Sequence, residues 1–147
     1  MIAVAAALAI VLLGVAAASR SSTSVTASRT ITFDVAFHDT EVDLGETGPS
    51  LGDERIFADD LLDANGSKVG DDAGVCIFTS LEPPEAACHI TFVLSRGQIA
   101  TQFFNTPPAR KVAAIVGGTG AYRRARGEAV IVEGPNQTGP VTFKLTG

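Results

Sequence analysis

From Arg29 to Asp39 apolar and polar positions alternate, with Ile31, Phe33, Val35 and Phe37 on one face. Thr30, Thr32, Asp34, Ala36 and His38 occupy the other. A period of two is the signature of a strand with one buried face. Seven further strands are expected at Asp53–Leu61, Lys68–Thr79, Ala87–Ser95, Gln98–Phe104, Lys111–Val116, Ala125–Glu133 and Val141–Thr146. The breaks between them carry turn chemistry: an acidic Gly/Pro loop at Thr40–Gly52, Ala64-Asn65-Gly66, Glu82-Pro83-Pro84-Glu85, Arg96-Gly97, Pro107-Pro108 and Gly134–Gly139. No stretch carries a helical period. Short connections make consecutive strands antiparallel neighbours. Eight of them fit an all-β, up-and-down antiparallel barrel, which removes sheet edges and leaves room for one small ligand. A sandwich fits the strand count as well, but hairpin following hairpin favours the barrel.

Ahead of these strands lies Ile2–Ala18, an uninterrupted apolar run ending in Ala16-Ala17-Ala18, with the polar stretch Ser19–Ser24 next. Small residues before a polar stretch suit signal-peptidase cleavage. The expected layout is a signal peptide over 1–18, a flexible lead-in over 19–28 and a barrel over 29–147. An uncleaved membrane anchor and a buried helix are the other readings of the leader. Met1 leads straight into Ile2, so the usual basic start of a signal is missing, as it would be if translation began upstream.

Charge changes the picture little. The chain of 147 residues has 16 acidic and 11 basic side chains, for a net charge of −5, and no Lys/Arg-rich run. Nucleic acid is therefore excluded as the main partner. The acids crowd residues 19–72 and the bases residues 73–147, which reads as solvated loops of opposite sign.

Candidate chemistry is sparse. Two cysteines and two histidines make no structural zinc site in any usual spacing. Asp59, Asp60 and Asp63 lack the alternating-oxygen spacing of a calcium loop. No Ser/His/Asp or Cys/His constellation and no cofactor site is visible. Gly117-Gly118-Thr119-Gly120 lacks a following Lys-Ser/Thr and is read as a backbone device that turns the chain and lets Tyr122 cap the core. Cys76 and Cys88 lie either side of the Glu82–Glu85 turn. A hairpin pairing about position 82 sets them opposite one another, and in an exported protein that favours a disulfide. Asp34 is a solvated strand residue if its face looks outward, and a cavity carboxylate if the apolar face packs against a neighbouring subunit.

Two segments go beyond patterning. The first is Phe57-Ala58-Asp59-Asp60-Leu61-Leu62-Asp63, continuing through Val69-Gly70 to Ala73-Gly74-Val75-Cys76. The second runs from Ala114-Ile115-Val116 through Gly117-Gly118-Thr119-Gly120-Ala121-Tyr122 to Arg123-Arg124-Ala125-Arg126-Gly127-Glu128. Together they resemble the allene oxide cyclase and dirigent protein superfamily, over about residues 29 to 147. The resemblance implies a calycin-like barrel, a homotrimer and a hydrophobic small-molecule ligand. It matches Asp34 to a first-strand pocket glutamate, with Ala36 standing where the cyclases carry a second polar group. Phe57 and Asp59 match a pocket pair that holds an ordered water, Cys76 a pocket cysteine, and Arg126 an arginine lining the dirigent pocket. His38-Asp39 echoes the end of the dirigent first strand, and Ala121 replaces a dirigent acid.

The expected catalytic groups are thus Asp34, Asp59 and Arg126, with Phe57, Cys76 and Tyr122 lining the substrate site. The expected activity is cofactor-free steering of cyclisation or isomerisation in an exported, extracytoplasmic barrel, which meets a membrane only through an uncleaved leader. The alternative is a non-catalytic barrel that binds an apolar metabolite or serves as a structural secreted domain.

Overall fold

In the computed structural model, residues 28–146 are described. The leader and nearly all of the lead-in lie outside them. Strands β1 (Ser28–Ala36), β2 (Asp39–Val42), β3 (Glu54–Leu62), β4 (Lys68–Leu81), β5 (Pro84–Leu94), β6 (Gly97–Asn105), β7 (Arg110–Gly118), β8 (Arg126–Val132) and β9 (Thr138–Thr146) form one antiparallel sheet. Single 3₁₀ turns stand at Gly120–Tyr122 and Pro135–Gln137. Among the described residues no helix is long and apolar enough to cross a membrane.

The sheet closes through β1. One edge of β1 pairs with β9 from Ser28↔Thr146 to Ala36↔Thr138, while its last residues pair on the other edge with β3, Asp34↔Leu62 to Ala36↔Asp60. Eight strands complete the ring, and β2 is the ninth. It continues along β3 from Asp39↔Phe57 to Val42↔Glu54 in the same register as β1. The strand expected to end at Asp39 is therefore interrupted at Phe37-His38 and resumes. Thr40 and Glu41 read as loop because they are polar and exposed. They pair because the outer end of β3 has no other partner once β1 turns away.

Pleating sends alternate side chains inward. Val35, Leu61, Phe92, Ile99, Val141 and Phe143 are fully buried and form the centre of the core. Phe143 meets the ring of Phe92 edge-on at 4.8 Å and that of Phe33 at 6.4 Å, the arrangement favoured by opposed ring quadrupoles. The apolar face of β1 thus points into its own barrel.

One end of the ring is sealed by the Gly117–Gly120 run. Gly120 takes a φ of +56°, a left-handed conformation that glycine adopts without penalty. Gly118 lies so close to Tyr122 that an added Cβ would sit 3.0 Å from the tyrosine's own. The run is tied to the β5–β6 turn by Ala121 N donating to Arg96 O at 2.8 Å and by Gln98 N donating to Thr119 Oγ1 at 3.0 Å. Tyr122 is thereby held in the core as a plug, the capping role read from the sequence.

Phe143→Ala removes a ring that touches β1 and β5 at once. Its expected cost is about 3–5 kcal/mol of unfolding free energy, measured as a lower urea midpoint with the native circular dichroism spectrum retained below the transition.

Candidate functional site

The opposite end of the barrel is open. Phe37, Phe57, Ile90, Phe103 and Ile131 wall a cavity of about 300 Å³ whose polar lining includes Asp39, Arg55, Asp59, Asn105, Lys111 and Glu133. Phe57 reaches across β4 because Gly74 has no side chain: a Cβ there would sit 2.5 Å from the phenylalanine ring. The Cys76–Cys88 disulfide forms the floor between β4 and β5, where the two residues are direct cross-strand partners with Cα atoms 4.1 Å apart. Closing so short a loop contributes roughly 2–4 kcal/mol. The expected bridge is present, and with both cysteines in it neither thiol is free.

Three aspartates near the β3–β4 turn separate by strand parity. Asp63 accepts backbone N–H bonds from Asn65 at 2.8 Å and Ser67 at 2.9 Å, which fixes the turn. Asp60 pairs with Lys68 at 2.6 Å on the outside. Asp59, between outward neighbours, points in and is only 4% exposed. Directly opposite it on β4 stands Asp72, 3% exposed, with Oδ1 lacking any hydrogen-bond partner. The interruption between β1 and β2 frees the His38 backbone N–H to donate to Asp59 Oδ1 at 2.6 Å.

Two carboxyls so placed cannot both ionise cheaply. Burial is the main cause raising Asp72, to about 8, reinforced by the charge of Asp59 and by a hydrogen bond between the two side chains. Asp59 is also raised, chiefly by burial, against the lowering effect of the His38 N–H. Burial and mutual repulsion thus favour a proton shared by the pair, with Asp59 on the cavity wall and Asp72 behind it. Such a pair is equipped to give a proton at one position and take one at another.

At the rim the cations are engaged. Arg55 Nε stands 3.2 Å from Asp39 Oδ2, and its terminal nitrogen bonds Glu41. Lys111, 7% exposed, donates to the carbonyls of Thr106 at 2.5 Å and Pro108 at 2.6 Å and lies 3.6 Å from Glu133.

Residues 30–139 match the family model described as the allene oxide cyclase barrel like domain. The chain belongs to that family. Among solved structures, a pyocyanin demethylase is similar at 32% identity and a TM-score of 0.71, over 80% of this chain and 100% of that one. A pterocarpan synthase dirigent protein shares the fold at 19% identity and a TM-score of 0.60, over 82% of this chain and 83% of that one. A Diels–Alderase from Streptomyces koyangensis does so at 12% identity and 0.62, over 86% of this chain and 72% of that one. No protein of curated function matches the sequence.

Membership in the allene oxide cyclase barrel-like family does not bring all the expected site residues together. Asp59, Phe57 and Cys76 converge on the cavity. Asp34 does not: it is exposed on the outer face, because the apolar face of β1 fills its own barrel rather than a neighbour. Arg126 also points outward, at the start of β8 near the sealed end, and donates to Ala125 O at 2.7 Å. Tyr122 is buried in the plug, remote from the open cavity. Asp72, Asn105 and Lys111 escaped the sequence reading. The signal for Asp72 was available: pairing about the Asn65-Gly66 turn places an inward Asp59 beside an inward Asp72.

The raised Asp72 gives a pH signature. Its folded pKa lies above its unfolded value of about 3.9, so the folded state holds the extra proton and stability falls as pH climbs from about 4 towards 8. Asp72→Asn removes that loss. Urea midpoints should show the variant gaining on the parent across this interval, by on the order of a few kcal/mol, with no further gain above pH 8.

Proposed function

We propose that the open end of the barrel binds a small, largely apolar molecule and steers its cyclisation or isomerisation by proton transfer through Asp59 and Asp72. The observation that carries this reading is a pair of buried, directly opposed carboxyls, one of them on the wall of a cavity lined by three phenylalanines. Asp59, the carboxyl on the cavity wall, takes a proton from a ligand carbon and returns it at a second position, with Asp72 behind it taking up or giving back the shared proton. The pair ends with one proton, as it began, and the ligand is isomerised without a co-reactant.

Phe37, Phe57 and Phe103 hold the molecule in one shape and keep water away from the reacting bond. Demethylase, dirigent and Diels–Alderase relatives on the same barrel support a small-molecule chemistry for this one. Asp34 and Arg126 have no part in it, since neither side chain lines the cavity. The hydrogen bond from His38 N to Asp59 favours a second reading, in which the pair only shapes a binding pocket and no bond is made or broken.

The same reading places the mature domain outside the cytoplasm, supported by the disulfide, and assembles it as a homotrimer. Outward apolar residues on β3 to β7, among them Ile56, Ile77, Phe104, Val112 and Val116, supply surface for that assembly.

Solvent-deuterium exchange at the α-carbon of 2-tetralone, a compact enolisable ketone, separates catalysis from binding. The protein is expected to accelerate exchange over buffer, and Asp59→Asn to lower that acceleration by roughly 10²–10⁴-fold. Saturable tetralone binding with exchange at the buffer rate supports the binding-only reading instead.

A further inference from the structure

The charge bookkeeping of the cavity restricts what can enter it, granted the reading of that cavity as a small-molecule site. Facing inward or standing at the rim are Asp39 at the start of β2, Arg55 and Asp59 on β3, Lys111 on β7 and Glu133 after β8, with Asp72 behind. Exposed His38 and outward Asp71 lie nearby, while β5 and β6 contribute no charge to the lining.

Both cations are committed. Arg55 is held between Asp39 and Glu41, although its Nε–H is not aligned for a hydrogen bond. Two carbonyls accept from Lys111 Nζ, with Glu133 beside it. The acid pair retains one negative charge, and Asn105 Oδ1, a lining acceptor, is buried with no partner. What the pocket lacks is free positive charge: Asp39, Asp59 and Glu133 line it against Arg55 and Lys111, and both cations are matched by carboxylates.

We infer that the ligand is a neutral or cationic molecule with an apolar skeleton and at least one N–H or O–H donor, and that carboxylates are turned away. A donor aimed at Asn105 Oδ1 satisfies an orphaned acceptor, and a cationic nitrogen beside Asp59 meets the charge of the pair. A carboxylate in the same place loses its hydration, finds no free cation and faces a like charge. The predicted substrate class is therefore amines, N-heterocycles and neutral alcohols or phenols, and excludes fatty-acid anions.

Three tricyclic fluorophores of nearly equal size test this on the purified full chain: 9-aminoacridine as the cation, 9-anthracenemethanol as the neutral donor and 9-anthracenecarboxylate as the anion. Fluorescence titration at pH 7 should rank them in that order, with the cation at least about tenfold tighter than the anion. In the near-isosteric double variant D59N/D72N the cation should fall to within about threefold of the alcohol. An anion that binds as tightly as the cation to the parent chain overturns the inference while leaving the cavity as a ligand site. Failure of all three to bind a chain with native circular dichroism overturns the small-molecule reading beneath it. The parent series decides both points even if the double variant does not fold.

Discussion

Strand β1 is hydrogen-bonded on both edges, to β9 and to β3, and everything else in this molecule follows from that closure. A closed ring has no freedom to turn a strand over, since slipping β1 by one residue would exchange Val35 for Asp34 at the centre of the core. Parity then decides the fate of every side chain. It buries Val35 and exposes Asp34, and it draws Asp59 inward while leaving Asp60 to pair with Lys68 outside. The ring has a fixed volume, so what fills one end determines what stays open at the other. Leu94, Ile99, Leu145 and Tyr122 join the core at the sealed end. On its disulfide side the open end rests on the buried cluster of Cys76, Ala86 and Cys88, of which Cys76 lines the cavity.

Into that half-filled interior the sequence places two aspartates, the least economical choice for a barrel wall. Apolar residues there would cost nothing in desolvation, whereas an unpaired buried charge is expensive. The structure limits the cost by letting the pair share a proton and by breaking the β1–β2 strand so that a backbone N–H reaches Asp59. The break leaves Phe37 N to bond Gln137 O rather than β9. Local order is thus given up on two elements to satisfy one carboxylate, an arrangement in keeping with sites where function takes precedence over stability.

Much of the fold was legible because its signals are local. Turn chemistry at Asn65-Gly66 and Arg96-Gly97 marks hairpins, and alternation marks strands. Pairing about position 82 set Cys76 against Cys88, as observed. β2 was hidden, because its pairing depends on an edge left vacant by another strand rather than on its own residues. The site was less legible for a related reason. Asp34 sits on a strand whose polar face matches a pocket face by resemblance, but resemblance carries no information about which way this strand's pleat is filled. Asp72 needed two inferences at once, a hairpin register and a shared inward parity, and neither is visible at a single position.

The relatives on this barrel are named for demethylation, dirigent activity and Diels–Alder chemistry, and share 32%, 19% and 12% of their sequence with this chain. That is expected where a fold supplies a shaped, dry chamber and the chemistry is set by a few inward positions. At 12–19% identity the likeness fixes the path of the strands and leaves those positions free. Here the inward positions at the open end carry a proton-sharing acid pair, an orphaned amide oxygen and two neutralised cations. None of them belongs to the apolar cluster that holds the barrel closed. The apolar cluster that closes the ring and the polar positions that set the chamber's charge are thus largely different residues.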